Sequence, residues 1–296
     1  MIHPSTFSIV ACDLKARAWG VAVASKFPAI GTVTPWADSL GGAVATQMYA
    51  NTSFGPKGLQ FMRAGLSAEE TIAKLLSDDP ERETRQVGIV DLQGRSATYT
   101  GKSSYAWAGG IAGDGYAVQG NILVGEEVVS AMSGAYLTST GPLYRRLQDA
   151  LFAGDRAGGD RRGRQSAAIL VVKECAGYGG FNDRWIDYRV DDHTDPVFRL
   201  GELLDLHDLY FGVSLVEDKI PLAGESLIEL QRILSQLGYY QGTASGYLDS
   251  QTKAALKIFI GNENFEERVD FEKGLIDQPV YKFLVRRFGM SISFIR

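Results

Sequence analysis

The sequence predicts an α+β protein: two stacked antiparallel sheets covered by helices on both outer sides, a four-layer αββα sandwich, followed by a small three-helix domain. Three observations carry this expectation. Several strand-length runs, Trp19 to Ser25, Gly41 to Thr46 and Ser166 to Val172, are apolar at nearly every position instead of alternating, which marks strands buried on both faces. The links between neighbouring runs are short, as at Asp13 to Arg17 and Asp91 to Gly94. Short links join antiparallel neighbours, because a parallel pair needs a crossover of about a dozen residues or more. After Gly212 the turn-broken, Gly- and Ala-rich pattern gives way to helical periodicity.

Taken in order, the first strand runs from Thr6 and the second from Trp19, with the Asp13 to Arg17 turn between them. A helix is expected near Pro56 and another at Ser67, where Glu70 completes a capping box and Ile72, Leu75 and Leu76 supply the apolar stripe. Gln86 to Val90 and Arg95 to Thr100 form a hairpin around Asp91-Leu92-Gln93-Gly94. Further helices are expected at Gly125 to Leu137, Pro142 to Ala153 and Pro196 to Tyr210. Asp191-Asp192-His193 reads as the cap of the last of these, since successive strand residues point to opposite faces and make a poor single-face metal site. Gly110, Gly113 and Gly115 precede a strand instead of a helix, which argues against a phosphate loop.

At 296 residues the chain exceeds one ordinary domain, and the linker expected at 212–224 divides it into domains 1–212 and 213–296. Its 45% apolar and 22% charged residues, 34 glycines and mean hydropathy of −0.07 describe a soluble, turn-rich globular chain. A net charge of −5 gives no global field for nucleic acid or an anionic membrane surface, and no run approaches the length of a membrane span. Cys12 and Cys175 are the only cysteines, which excludes a disulfide framework and a thiolate zinc site. With no secretory pattern in Met1 to Val10, the expected location is cytoplasmic. His3 and His207 show no ligand spacing, so neither a metal nor a cofactor is expected.

Separated blocks in fixed order, Thr6 to Ala11, Gly20 to Phe27, Gly42 to Gln47, Tyr49-Ala50-Asn51, Phe54-Gly55-Pro56, Gln86-Val87-Gly88, Tyr116 to Asn121, Gly159 to Ala168 and Arg189 to His193, resemble the bacterial family catalogued as domain of unknown function 1028. That family is grouped with the N-terminal-nucleophile (Ntn) hydrolases, whose fold is the αββα sandwich. The resemblance implies an amidohydrolase acting on a small amide or peptide-like substrate. Thr6 is then the candidate nucleophile, its own α-amine serving as base. Lys26 is positioned to lower the pKa of that amine, and Gln47, Gln119 and Asn121 are candidate oxyanion donors at strand ends. Arg164, Gln165 and Ser166 are candidates to hold a substrate carboxylate or carbonyl.

Other readings of the same residues stand beside these. Thr6 follows five residues, so its nitrogen is an amide unless the Ser5–Thr6 bond is cleaved; otherwise it is a β-branched residue favouring its strand. Lys26 can snorkel from a strand end, Gln119 and Asn121 can satisfy a turn around Gly120, and the Asp155 to Arg164 stretch can pair with itself. A noncatalytic binding or assembly protein on the same fold is therefore the alternative function.

In the second domain Leu227, Leu230, Ile233, Leu234 and Leu237 form one helical stripe ended by Gly238. Asp249 is the expected N-cap of Gln251 to Ile260, and Asp277 with Pro279 opens Val280 to Phe288, which Gly289 closes. Leu230-Gln231, Leu234, Leu237-Gly238-Tyr239, Gly246-Tyr247-Leu248, Thr252, Ala255-Leu256 and Phe259 resemble the peptidoglycan-binding domain family, with Ser245 and Asp249 standing where that family shows Asp and Gly. The resemblance implies a muropeptide partner. The competing expectation is a packing or dimerisation element, and with it a homo-oligomer.

Overall fold

A computed structural model describes residues 6–104 and 106–289, so His3 and Ser5 lie outside the described residues. The protein is mixed α+β, with antiparallel sheets and eight α-helices among the described residues. It divides into two compact units between Leu204 and Asp205, inside α5 (Pro196–Phe211). The 212/213 boundary expected from the sequence falls just past the end of that helix.

In the first unit, β1 (Thr6–Asp13), β2 (Ala18–Ser25), β7 (Trp107–Gly113), β8 (Tyr116–Leu123), β9 (Ser166–Lys173) and β10 (Arg184–Val190) form a six-stranded sheet in the order β10-β9-β2-β1-β8-β7. β3 (Pro35–Asp38), β4 (Gly42–Met48), β5 (Arg85–Val90) and β6 (Ser96–Thr100) form a four-stranded sheet in that order. Every pairing in both sheets is antiparallel, as the short links require. The sheets face each other, with β1 against β4 and β5, and β5 against β8.

α1 (Phe54–Arg63) and α2 (Ala68–Ser77) pack on the four-stranded sheet, burying Leu59, Met62, Ile72 and Leu75 over Val44, Val87 and Ile89. The capping box at the start of α2 is present: Glu70 N–H donates to Ser67 Oγ at 3.2 Å, and Ser67 N–H donates to the Glu70 carboxylate at 2.8 Å. α3 (Glu127–Thr138) and α4 (Leu143–Arg156) cover the six-stranded sheet, where Met132, Leu147 and Leu151 meet Phe7, Ile9 and Ile169. Alternation along β1 therefore sends Phe7, Ile9 and Ala11 toward the helices and Thr6, Ser8 and Val10 toward the other sheet.

Gly110, Gly113 and Gly115 do precede a strand, β8, as expected. Gly110 and Gly113 lie within β7, and Gly115, at φ 75°, makes the turn into β8. A glycine-rich strand has no apolar alternation to reveal it. Within the expected cap Asp191-Asp192-His193, the bond at the helix start comes from His193, whose Nδ1 accepts the Asp195 N–H at 2.9 Å, whereas Asp192 accepts from Gln165.

The second unit holds α6 (Gly224–Gln236), α7 (Ser250–Asn262) and α8 (Gln278–Phe288) around Leu227, Leu230, Leu234, Leu256, Phe259 and Leu284. Asp249 caps α7 by accepting the Thr252 N–H at 2.7 Å. The three-helix expectation omits a small sheet of β11 (Lys219–Pro221), β12 (Val269–Asp270) and β13 (Leu275–Asp277), ordered β11-β13-β12. Strands of two or three residues are too short to show a period. Asp277 carries no side-chain cap bond; its carboxylate pairs with Arg268 at 2.8 Å and Lys219 at 3.1 Å. Among the described residues no helix is long and apolar enough to cross a membrane, and no group of His, Cys, Asp and Glu could hold a metal ion.

Candidate functional site

Where β1 begins, the facing sheets enclose side chains that are polar and fully buried: Thr6, Ser8, Gln47, Gln86, Gln119 and Asn121 are each 1% exposed or less. Burying amides in this way is tolerable only when they bond to one another. Gln86 is the hub. Its Oε1 accepts from Gln47 Nε2 at 2.8 Å and Asn121 Nδ2 at 2.9 Å, while its Nε2 donates to Thr100 Oγ1 and the Gly120 carbonyl, both at 2.8 Å, and to the Gly109 carbonyl at 3.2 Å. Ser8 Oγ donates to Gln47 Oε1 at 2.7 Å and accepts from Gln119 Nε2 at 2.6 Å. Gly88 makes room for this cluster, because a Cβ there would stand 2.0 Å from Gln119 Oε1.

Thr6 sits at the edge of the cluster. Its carbonyl accepts from Gln47 Nε2 at 3.3 Å and Asn121 Nδ2 at 3.5 Å, and its hydroxyl donates to Ser25 Oγ at 3.3 Å. Thr6 and Gln47 border a pocket of about 270 Å³ together with Phe27, Ile30, Val33, Thr34, Met48 and Arg85. Met48, at the end of β4, is held at φ 69°, and Ile122 in β8 at φ 54°. Side chains other than glycine rarely adopt this left-handed region, and a β-branched one such as Ile122 least of all.

Arg85 is anchored behind the pocket. Its Nε donates to Asp79 at 2.8 Å, its Nη2 to Glu81 at 2.7 Å and its Nη1 to the Tyr49 carbonyl at 2.9 Å. Hydrogen bonding from Arg85, followed by that from Asn51, holds the Asp79 carboxyl down at about 2 against the opposing effect of burial. The same Asp79 accepts from Asn51 at 3.2 Å, so the ion pair braces the loop after β4 that walls the pocket.

The remaining sequence candidates are engaged with other partners. Lys26 follows β2 and is exposed; its ammonium donates to the Arg164 carbonyl at 3.2 Å and its backbone N–H to Asp160 at 2.7 Å. The Arg164 guanidinium forks onto Asp155 at 2.7 and 2.8 Å, and Arg162 pairs with Asp160 at 3.1 Å. Arg164 and Asp155 line a second pocket, of about 470 Å³, with Phe7 and Ala24 on the helix-facing side of the six-stranded sheet. Gln165 donates to Asp192 at 3.3 Å. Ser166 is buried, donates to the Phe27 carbonyl at 2.5 Å and accepts the Ile30 N–H at 3.1 Å, fastening the loop that carries Phe27 and Ile30 to the pocket wall. Thr6, Gln47, Gln119 and Asn121 thus converge, whereas Lys26 and Arg164 meet each other.

Residues 6–200 match a family described as “Family of unknown function (DUF1028)”. The chain belongs to this family. Residues 215–284 match the family described as “Putative peptidoglycan binding domain”. The crystal structure of a DUF1028 protein from Silicibacter pomeroyi is similar, at 30% identity and a TM-score of 0.63, over 69% of this chain and 89% of that one. Among curated proteins nothing matches.

In this DUF1028 chain several site residues carry only a faint signal in the sequence. Ser8 and Gln86 could have been found as polar positions in otherwise apolar strand runs, the signal that also marks Gln119. Thr34 lies between elements with no periodicity to place it, and Asp79 and Arg85 come together only through the loop that joins α2 to β5.

Proposed function

We propose that the first unit is an Ntn-type hydrolase of a small amide or peptide-like bond, its two sheets and flanking helices forming the four-layer αββα sandwich of that class. The observation that carries the reading is the place of Thr6: first residue of a central strand, facing the opposite sheet, hydrogen-bonded to Ser25 and bordering a pocket. In this mechanism cleavage of the Ser5–Thr6 bond frees an α-amine. That amine takes the Thr6 hydroxyl proton as Oγ1 attacks the substrate carbonyl, and returns it to the leaving amine. Gln47 is the amide best placed to donate to the oxyanion, since it alone of the three candidates also lines the pocket. Lys26 and Arg164 act on the surrounding loops, through the hydrogen bond they share.

The test is intact-mass and N-terminal sequencing of the natural protein, followed by an acyl-amide panel. A chain beginning at Thr6 that cleaves amides, with Thr6→Ala inactive, is the expected outcome. A chain still carrying Ser5 and without amidase activity would leave the noncatalytic alternative, a binding or assembly protein. That alternative draws support from how fully Gln47 and Gln86 are occupied by internal partners. For the second unit we propose binding of muropeptides, on the strength of its family match alone. Saturable binding in a titration of the full chain, lost on deleting residues 213–296, is expected.

A further inference from the structure

We infer that the pocket beside Thr6 selects an electrically neutral ligand: an acyl or peptide-like group with an uncharged, apolar side chain and one amide or carbonyl hydrogen-bonded to Thr34. This deepens the reading of the pocket as the place where Thr6 acts, and rests on it. Three observations set the chemistry. The walls supplied by Phe27, Ile30, Val33 and Met48 are apolar, and about 270 Å³ accommodates a single side-chain-sized group, below the range of drug-sized sites.

Charge is excluded on both signs. Arg85 is the one side chain of this lining that is charged at neutral pH, and its guanidinium already faces the carboxylates of Asp79 and Glu81 and the Tyr49 carbonyl. An incoming carboxylate would be desolvated beside a guanidinium whose charge Asp79 and Glu81 already offset, and an incoming ammonium would be desolvated against that guanidinium. Thr34 supplies the polar anchor. Its side chain is 0% exposed, it lines the pocket, and its hydroxyl has no hydrogen-bond partner among the described residues. A buried hydroxyl left in that condition is destabilising, so a ligand group that pairs with it gains the full value of the bond.

The test separates binding from turnover. The full chain and its Thr6→Ala variant are titrated by calorimetry with N-acetyl-leucinamide, N-acetyl-phenylalaninamide and their glutamate and lysine counterparts. The two neutral amides are expected to bind saturably to both proteins, and the charged pair at least about ten-fold more weakly. Thr34→Val, which keeps the shape and removes the hydroxyl, is expected to weaken binding about ten-fold, and Thr34→Ser to restore it. Thermal unfolding confirms that each variant is folded. Failure of the neutral amides to bind, a charged congener binding as well as they do, or an unchanged affinity in Thr34→Val would overturn the inference. Neutral amides bound but never cleaved would overturn the nucleophile reading and leave this one standing; cleavage confined to acidic or basic amides would do the reverse.

Discussion

The space between the two sheets has two ends built from the same strands in opposite chemistry. At one end Val10, Val21, Ala43, Ala45, Val90 and Ala117 form a dry apolar layer together with Trp19. At the other lie Thr6, Ser8, Gln47, Gln86, Gln119 and Asn121. The change takes one or two same-face steps on each strand, from Val10 to Ser8 on β1, from Ala117 to Gln119 on β8, from Ala45 to Gln47 on β4, and from Val90 through Gly88 to Gln86 on β5. The pairing keeps the border straight, since Ser8 stands opposite Gln119 and Val10 opposite Ala117, while Gln47 stands opposite Gln86 and Ala45 opposite Gly88. The dry end shows that these sheets pack without amides. A buried polar layer contributes little net stability over well-packed apolar groups, so its presence at one end only is better explained by the pocket it adjoins.

The strongest way to break this contrast is Gln86→Ala, which strands the amides of Gln47 and Asn121 and opens a void. A loss of about 3–5 kcal/mol is expected in urea unfolding. Gly88→Ala drives a methyl group into Gln119 at the border and is expected to cost about 1–3 kcal/mol, with the midpoint shifted and the denaturant slope unchanged. Val90→Ala at the dry end should lose about 2 kcal/mol while leaving ligand binding in the pocket intact, which sharpens the separation between the ends. The smallest effect concerns acid. The contribution of the Asp79–Arg85 pair is fully present above the ordinary carboxyl value of 3.8 and is lost as pH falls through about 2. Asp79→Asn should therefore flatten the stability profile in that window, followed by circular dichroism.

Much of this arrangement was legible in the chain, for reasons that explain what was not. Continuous apolar runs such as Trp19 to Ser25 mark strands covered on both faces, and Ser67 with Glu70 marks a helix start, because each signal is local and has one physical cause. Thr6, Gln47, Gln119 and Asn121 were singled out together and do meet. Lys26 is expected to act on the Thr6 amine from its strand end, and a flexible side chain at such a position follows the loop it neighbours, here donating to the Arg164 carbonyl. Gln86 is not legible as a site residue, because its importance lies in which strands surround it, and strand order between two sheets is not written in any short segment.

Gln86 also fixes how the sheets are seated on one another. Its amide touches groups on four strands besides its own: Gln47 on β4, Thr100 on β6, Gly109 on β7, and Gly120 and Asn121 on β8. Sliding one sheet along the other by the smallest step that keeps the same faces inward, two residues or about 7 Å, would separate the cross-sheet partners together. At the dry end Trp19 adds a second cross-sheet tie, its indole N–H donating to the Asp91 carbonyl at 3.0 Å. Gln86 thus serves as a registration pin at one end, as Trp19 does at the other, and together they hold the two sheets in a single alignment.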